Sequence, residues 1–221
     1  MLIDPTLPDH ENFPYDNLNT WQDLYPDATE EIPPDAPQPK GPKQRITIWV
    51  DADHARDKVT CRSVTGVIIM VNHTVVKTYS KRQTTVESST YGSELVAARI
   101  ATDLAMEVRY TLRMLGVQID GSALMLGDNK SVVINTTIPS SVLKKKHCAI
   151  AYHRIREAVA ARAIRFCHVD SNVNVADVLT KPLPNPVFHT LIKPFLFRTP
   201  GGKRWPQVSE ISTEGEVVKE N

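Results

Sequence analysis

Four carboxylates stand at four junctions of this chain. Asp51 closes the apolar run ITIWV, Glu94 opens a long amphipathic stretch, Asp128 closes ALMLG, and Asp177 lies in VNVADVLTK, just past the strand-like run AIRFCHV. Acidic side chains at strand ends and helix starts, drawn from distant parts of one chain, suit hard divalent cations. Mg²⁺ prefers carboxylate oxygens and keeps several waters. Two such ions can clamp the attacking and the leaving oxygen of a phosphodiester. Without metal, four converging carboxylates repel one another and raise at least one pKa. Singly, each acid also reads as an ordinary turn residue or as a partner of a helix dipole. Asp53 competes with Asp51, because two residues along a strand it shares the same face.

Other constellations carry less. Lys144, Lys145, Lys146 and His147 precede an amphipathic run and offer a phosphate track, although charge runs commonly form a solvated face. Gln83, Ser89, Thr90 and Asn129 could contact RNA, and the same residue types serve as caps and turns. His147, Cys148, His153, Cys167 and His168 match no common zinc spacing, and Cys148 and Cys167 fit a helix and a strand as small core residues. No GxSxG elbow is present, which argues against a serine hydrolase of that type.

The elements that must position the four acids follow from periodicity. Strand one is expected over 45–51, with Ile46, Ile48 and Val50 on one face. VTGVIIMV and TVVKTYSK read as a hairpin joined at Asn72-His73. Leu95, Ala98, Thr102, Ala105, Val108, Leu112 and Leu115 recur at spacings of three and four, so a helix is expected over 93–115, stopped by Gly116. ALMLG is a strand, a short helix starts near Asn129, and 142–163 reads as a second long helix. AIRFCHV is the fifth strand, VNVADVLT a short helix, and PVFHTLIK adds one last turn.

With 221 residues, 41% of them hydrophobic, the chain holds one domain and its appendages. No apolar stretch reaches the roughly 18 residues of a membrane span, so no membrane partner is expected. MLIDPTLPDHENF lacks the basic and apolar regions of a signal peptide. Three cysteines without a CxxC pair suggest a reducing compartment. Residues 1–44 carry nine acids, two bases and nine of the sixteen prolines. They are expected to be an acidic connection or linker, extended and unable to join a sheet. Phe13, Tyr15, Trp21 and Tyr25 nevertheless suggest docking. Residues 45–197 carry twenty bases and twelve acids, a balance suited to a polyanion. The domain proper is expected over 45–185, followed by a tail over 186–221 with one short helix and then disorder.

VDADHARD, SKRQTTVESSTYGSELVAARIA, LGDNKSV, KKKHCAIAYHRIRE and NVADVLTKPLP, in this order and spacing over residues 45 to 185, resemble the ribonuclease H domain of copia-type (Ty1/copia) retrotransposon polyproteins. The resemblance implies an α/β, ribonuclease H-like fold, a five-stranded mixed sheet flanked by helices. It implies cleavage of the RNA strand of an RNA–DNA hybrid with two Mg²⁺ or Mn²⁺ ions. It places the acidic tetrad on Asp51, Glu94, Asp128 and Asp177, with Asp51 shared by both ions, Glu94 and Asp128 near the leaving oxygen, and Asp177 at the ion that activates water. Implied partners are the hybrid and the reverse transcriptase portion of the same polyprotein, in the cytoplasm within virus-like particles. A catalytically inactive nucleic-acid-binding remnant or a docking fragment is the alternative. Two positions depart from the pattern. Asn172 stands where cellular and retroviral relatives carry a mobile histidine, and Arg56 stands where the family has glycine, which would be strained if that position had φ > 0.

Overall fold

The computed structural model describes residues 18–196. In chain order the elements are α1 (Leu18–Leu24), β1 (Lys40–Gln44), β2 (Ile46–Asp53), β3 (Val64–Val71), β4 (Thr74–Arg82), α2 (Thr90–Met114), β5 (Val117–Ile119), β6 (Ala123–Gly127), α3 (Lys130–Thr137), α4 (Ala149–Ala160), β7 (Ile164–His168) and α5 (Asn185–Ile192). Short 3₁₀ turns cover Lys146–Cys148, Ser171–Val173, Val175–Leu179 and Lys193–Phe195.

The main sheet has the order β4-β3-β2-β6-β7. β2, β3 and β4 form an antiparallel meander, and β6 and β7 run parallel to β2. This is the mixed five-stranded sheet flanked by helices that the sequence led us to expect. At the hairpin, Asn72 takes φ +53 and its side chain accepts from the Arg45 backbone N–H at 3.0 Å, a conformation asparagine tolerates well.

Alternation along the strands builds two cores. Ile46, Ile48 and Val50 of β2 face one way, with Val67, Ile69 and Met125, and α2, α3 and α4 cover them. Ala97, Ala98, Ala101 and Ala105 let α2 lie close across the sheet. On the other face Trp49, Ile68, Met70, Leu124 and Leu126 pack beneath Val175, Ala176 and Leu191. The turn that carries Asp177 is therefore held down by hydrophobic burial. Of the periodic residues expected on α2, Leu95, Ala98, Thr102 and Ala105 are fully buried, whereas Leu115 is exposed because the helix ends before it. Gly116 follows at φ +68 and donates to the Arg113 carbonyl, a left-handed stop that glycine adopts without a Cβ clash.

Two expectations need correction. The proline-rich arm does join a sheet, since β1 pairs in parallel with β5. At its two ends the Lys40 N–H donates to Gly116 O and the Asp120 N–H donates to Gln44 O, both at 2.9 Å, and the register is irregular between Lys40 and Gln44, the stretch that holds Pro42. The second long helix is shorter than expected. It begins at Ala149, and Lys144 and Lys145 lie in the irregular segment before the 3₁₀ turn. Three ammonium groups in a first helical turn would oppose the helix dipole, and the chain leaves them outside it. The strain that a positive φ would bring to Arg56 does not arise: the loop takes its positive φ at Ala55, at +51, and Arg56 lies 3.6 Å from Asp53. The expected disorder of the tail and the contacts of Phe13 and Tyr15 lie outside the described residues.

The rest of the arm lies on the domain. Trp21 is 2% exposed. The Arg156 guanidinium sits 4.6 Å from the Trp21 ring centroid and 4.9 Å from that of Tyr152. Glu30 receives Arg109 through two hydrogen bonds of 2.7 Å, and Arg113 at 2.6 Å.

Candidate metal centre

Val50 and Gly127 are the last paired residues of the parallel β2–β6 ladder. Asp51 and Asp128 come next in the chain and so emerge side by side at one sheet edge. Glu94 reaches the same edge from the start of α2, whose N-cap is Ser89. Carboxylate oxygens of Asp51, Glu94 and Asp128 all lie within 4.8 Å of one another. Asp177 is outside that mutual set. It stands beside Asp51 in the 3₁₀ turn and holds Lys181 Nζ at 2.9 Å from its Oδ1.

Residues that single-sequence reading did not select hold this arrangement. Asn174 is fully buried. Its Nδ2 donates to the Val50 carbonyl at 3.0 Å and its Oδ1 accepts from the Ala176 N–H at 3.2 Å, so it pins the turn to the strand one residue before Asp51. Thr180 Oγ1 donates a short hydrogen bond to Asp51 Oδ2. Gly66 pairs with Asp51 across β2–β3. A Cβ there would come within 2.7 Å of Thr180 Cγ2 and 2.9 Å of the Ala176 carbonyl oxygen. Gly66→Ala should lift the turn and separate Asp177 from Asp51. Calorimetry should then show Mg²⁺ binding at least about tenfold weaker, on the scale of losing a supporting contact of a metal site. Unchanged affinity would mean the turn tolerates the shift. Thr180 and Lys181 belong to the ADVLTKPLP segment; only the tertiary contact reveals what they do.

The electrostatics of the site call for a cation. Burial raises Asp51 from the ordinary 3.8 to about 6, with Asp177 adding to the shift and the Thr180 hydroxyl and Lys181 opposing it. Burial and the charges of Asp51 and Asp128 push Glu94 well above its ordinary value. Burial and Asp51 raise Asp128. Burial pulls Lys181 down, but its hydrogen bond to Asp177 and the Asp51 and Asp128 charges outweigh that and hold the ammonium above its usual value. Four carboxylates against one ammonium leave an all-oxygen donor set with uncompensated charge, which fits Mg²⁺ or Mn²⁺.

The folded Asp51 holds its proton to higher pH than the unfolded chain does, so folding stability is lost as pH rises from about 4 through about 6. A shift of roughly two pH units corresponds to about 3 kcal/mol for this buried group. Glu94 and Asp128 act in the same direction. Thermal melts in chelator should therefore give a lower Tm at pH 7 than at pH 5, and millimolar Mg²⁺ should restore it by binding the native state alone. A Tm indifferent to Mg²⁺ at pH 7 would count against a metal site.

Asp53 is directed to Arg56 and is not in the carboxylate cluster. Gln83 is 3% exposed and its Nε2 donates to Thr65 Oγ1 and the Ser93 carbonyl, so it is a buried tie and not a surface contact, contrary to expectation. Ser89 caps α2 and Asn129 caps α3. Thr90, the first residue of α2, is exposed. Lys144 and Lys146 are exposed, while Lys145 bonds Ser89 Oγ and lies 5.8 Å from the Tyr91 ring centroid. His147 turns to Glu87, its Nε2 3.4 Å from Oε2. His153 bonds Tyr25 and His168 approaches the Asp128 carbonyl, so the five soft residues do not gather around one point. Asn172 is exposed and bonded to Asp170 through backbone and side chain, both at 2.8 Å.

No family profile matches the chain. Among curated proteins it is 30% identical over 149 residues to the retrovirus-related Pol polyprotein from transposon RE1 of Arabidopsis thaliana, covering 67% of this chain and 10% of that protein. It is 31% identical over 150 residues to the corresponding polyprotein from transposon RE2, with the same coverage. It is 22% identical over 154 residues to the transposon Ty1-JR2 Gag-Pol polyprotein of Saccharomyces cerevisiae, covering 70% of this chain and 9% of that one. The chain thus spans about a tenth of the length of these relatives. Among solved structures it is similar to the N-terminal RNase H domain of rv2228c from Mycobacterium tuberculosis, at TM-score 0.48 and 15% identity, over 67% of this chain and 96% of that one. It is also similar to the foamy viral protease-reverse transcriptase in complex with RNA/DNA hybrid, at TM-score 0.46 and 18% identity, over 80% and 23%. The chain, ribonuclease H-like in strand order, is homologous to a segment of Ty1/copia-type retrotransposon Pol polyproteins.

Proposed function

We propose that this chain hydrolyses the RNA strand of RNA–DNA hybrids during retrotransposon reverse transcription, with two Mg²⁺ or Mn²⁺ ions held by Asp51, Glu94, Asp128 and Asp177. The observation that carries the reading is the convergence of Asp51, Glu94 and Asp128 within 4.8 Å, with Asp177 beside Asp51, on a ribonuclease H-like sheet. Bound there, the cations would supply an activated water and stabilise charge on the leaving oxygen. The protein's own part is placement. β2 and β6 set Asp51 and Asp128 side by side, Thr180 orients Asp51, and Lys181 keeps Asp177 from turning away. Homology to Pol polyproteins supports a reverse transcriptase portion of the same polyprotein as partner. Three cysteines outside any disulfide agree with action in the cytoplasm, within virus-like particles. The test is a substrate panel: RNA in a hybrid should be cut, while DNA duplex and single-stranded RNA are spared. Equal cutting of single-stranded RNA would overturn the reading.

Lys144 and Lys146 are the proposed phosphate contacts, with Lys145 already engaged by Ser89. Each phosphate neutralised contributes about 0.9 to the slope of log affinity against log salt on a B-like duplex. Changing Lys144 and Lys146 together to Ala should flatten the slope by up to roughly twice that value, and should raise KM far more than it lowers kcat. An unchanged slope would return both lysines to a plain solvated surface.

A further inference from the structure

We propose that Glu87, His147 and Cys148 form a second metal site, for a zinc-class divalent cation, between the start of α2 and the start of α4 and separate from the four-carboxylate centre. One ligand atom from each of the three lies within 4.8 Å of the other two. His147 Nε2 is 3.4 Å from Glu87 Oε2, and Cys148 Sγ is 4.0 Å from the same oxygen. A tetrahedral ion with bonds of about 2.0–2.1 Å to nitrogen, 2.0–2.2 Å to oxygen and 2.3 Å to sulfur sets neighbouring ligand atoms roughly 3.3–3.7 Å apart. The two contacts to Glu87 Oε2 lie close to that range, and the His147–Cys148 pair is within 4.8 Å. The donor set is imidazole, thiolate and carboxylate, which suits zinc, whereas Mg²⁺ seeks oxygen alone.

The carboxylate is built into the fold independently of its two neighbours. Glu87 is 9% exposed, and its Oε1 accepts from Thr85 Oγ1 at 3.2 Å. Its Oε2 lies where a side chain on α2 would be, since a Cβ at Gly92 would come within 2.6 Å of that oxygen. Glycine at this position makes room for the ligand. On the open side the cluster borders a groove of about 470 Å³ that also includes Tyr79, Arg99, Asp103 and Ile150. Three protein ligands beside a groove leave a fourth position for water or an exchangeable ligand, the arrangement of an open zinc site. The ion would tie the segment ahead of the Ser89 cap, and hence the helix that delivers Glu94, to the turn before α4.

Co²⁺ is the probe, because thiolate coordination gives it a charge-transfer band that oxygen ligands do not. The full chain carrying Asp51→Asn and Asp128→Asn, which disables the carboxylate centre, should show this band with one equivalent of Co²⁺, and Zn²⁺ should abolish it by displacement. Cys148→Ser in that background should remove the band. His147→Ala, at an exposed position that leaves the fold intact, and Glu87→Gln should each weaken Co²⁺ binding at least about tenfold. Absence of the band, its persistence in Cys148→Ser, or an affinity indifferent to both His147→Ala and Glu87→Gln would each overturn the site.

Discussion

Asp51→Asn is expected to abolish hybrid cleavage while leaving the fold intact. The amide keeps the shape of the carboxylate but loses the charge at the group all three other acids surround. Glu94, Asp128 and Lys181 all feel that charge, so its loss alters the whole centre. Because the proposed ions act on the transition state, the loss should appear in kcat and not as a rise in KM. Stability in chelator at pH 7 should move the other way. The amide has no charge to desolvate, so the variant should gain up to about 3 kcal/mol over the parent in chelator. A variant that is inactive and more stable without metal is the signature of a cation centre. A variant with parental turnover would contradict the tetrad.

The second large effect lies far from the chemistry. Arg109 is 3% exposed and its charge is met by Glu30. Burial pushes the Glu30 carboxyl up, and hydrogen bonds from Arg109 and Arg113 more than reverse this and hold it below its usual value. Among the described residues, Glu30→Ala would leave the buried Arg109 guanidinium with the Gly121 carbonyl at 2.8 Å as its remaining hydrogen-bond partner. Breaking such a pair costs about 3–5 kcal/mol. For a domain of this size that should lower Tm by roughly 10 °C. Deleting residues 1–44 should cost at least as much, since Trp21 and the ring stack on Arg156 go with them. Cleavage per folded molecule should survive at low temperature, because the arm supplies none of the four acids. A Tm within about 1 °C of the parent for Glu30→Ala would show the arm to be only loosely laid on the domain.

The sheet and the acids were legible for one physical reason. Strand alternation and helical periodicity are local, and Asp51, Glu94 and Asp128 lie near the ends of the elements those patterns mark. Ile46, Ile48 and Val50 announce β2, which carries Asp51 near its end and runs on to Asp53, and Leu95 through Ala105 announce α2 and the place of Glu94. What was not legible depends on partners far away in sequence. Nothing near Glu30 signals Arg109, and the prolines around it suggest a free linker. Thr180, Lys181, Asn174 and Gly66 have their meaning only once the 3₁₀ turn lies on β2 and β3. Gln83 looked like a polar contact for RNA, yet its amide holds the start of α2 to β3 from within. The start of α4 was misplaced because KKKHCAI has good helix formers, whereas the chain keeps its lysines out of the first turn.

The most direct test is the chemistry of the cut ends. A hybrid with labelled RNA should be cleaved by the full chain only with Mg²⁺ or Mn²⁺. Its products should carry a 3′-hydroxyl and a 5′-phosphate, because water is the attacking group and the 3′ oxygen leaves. Chelator should stop the reaction, and added Mg²⁺ should restart it. Cleavage that continues in chelator, or products ending in 2′,3′-cyclic phosphate, would show that the ribose hydroxyl attacks without the four carboxylates and would contradict the account.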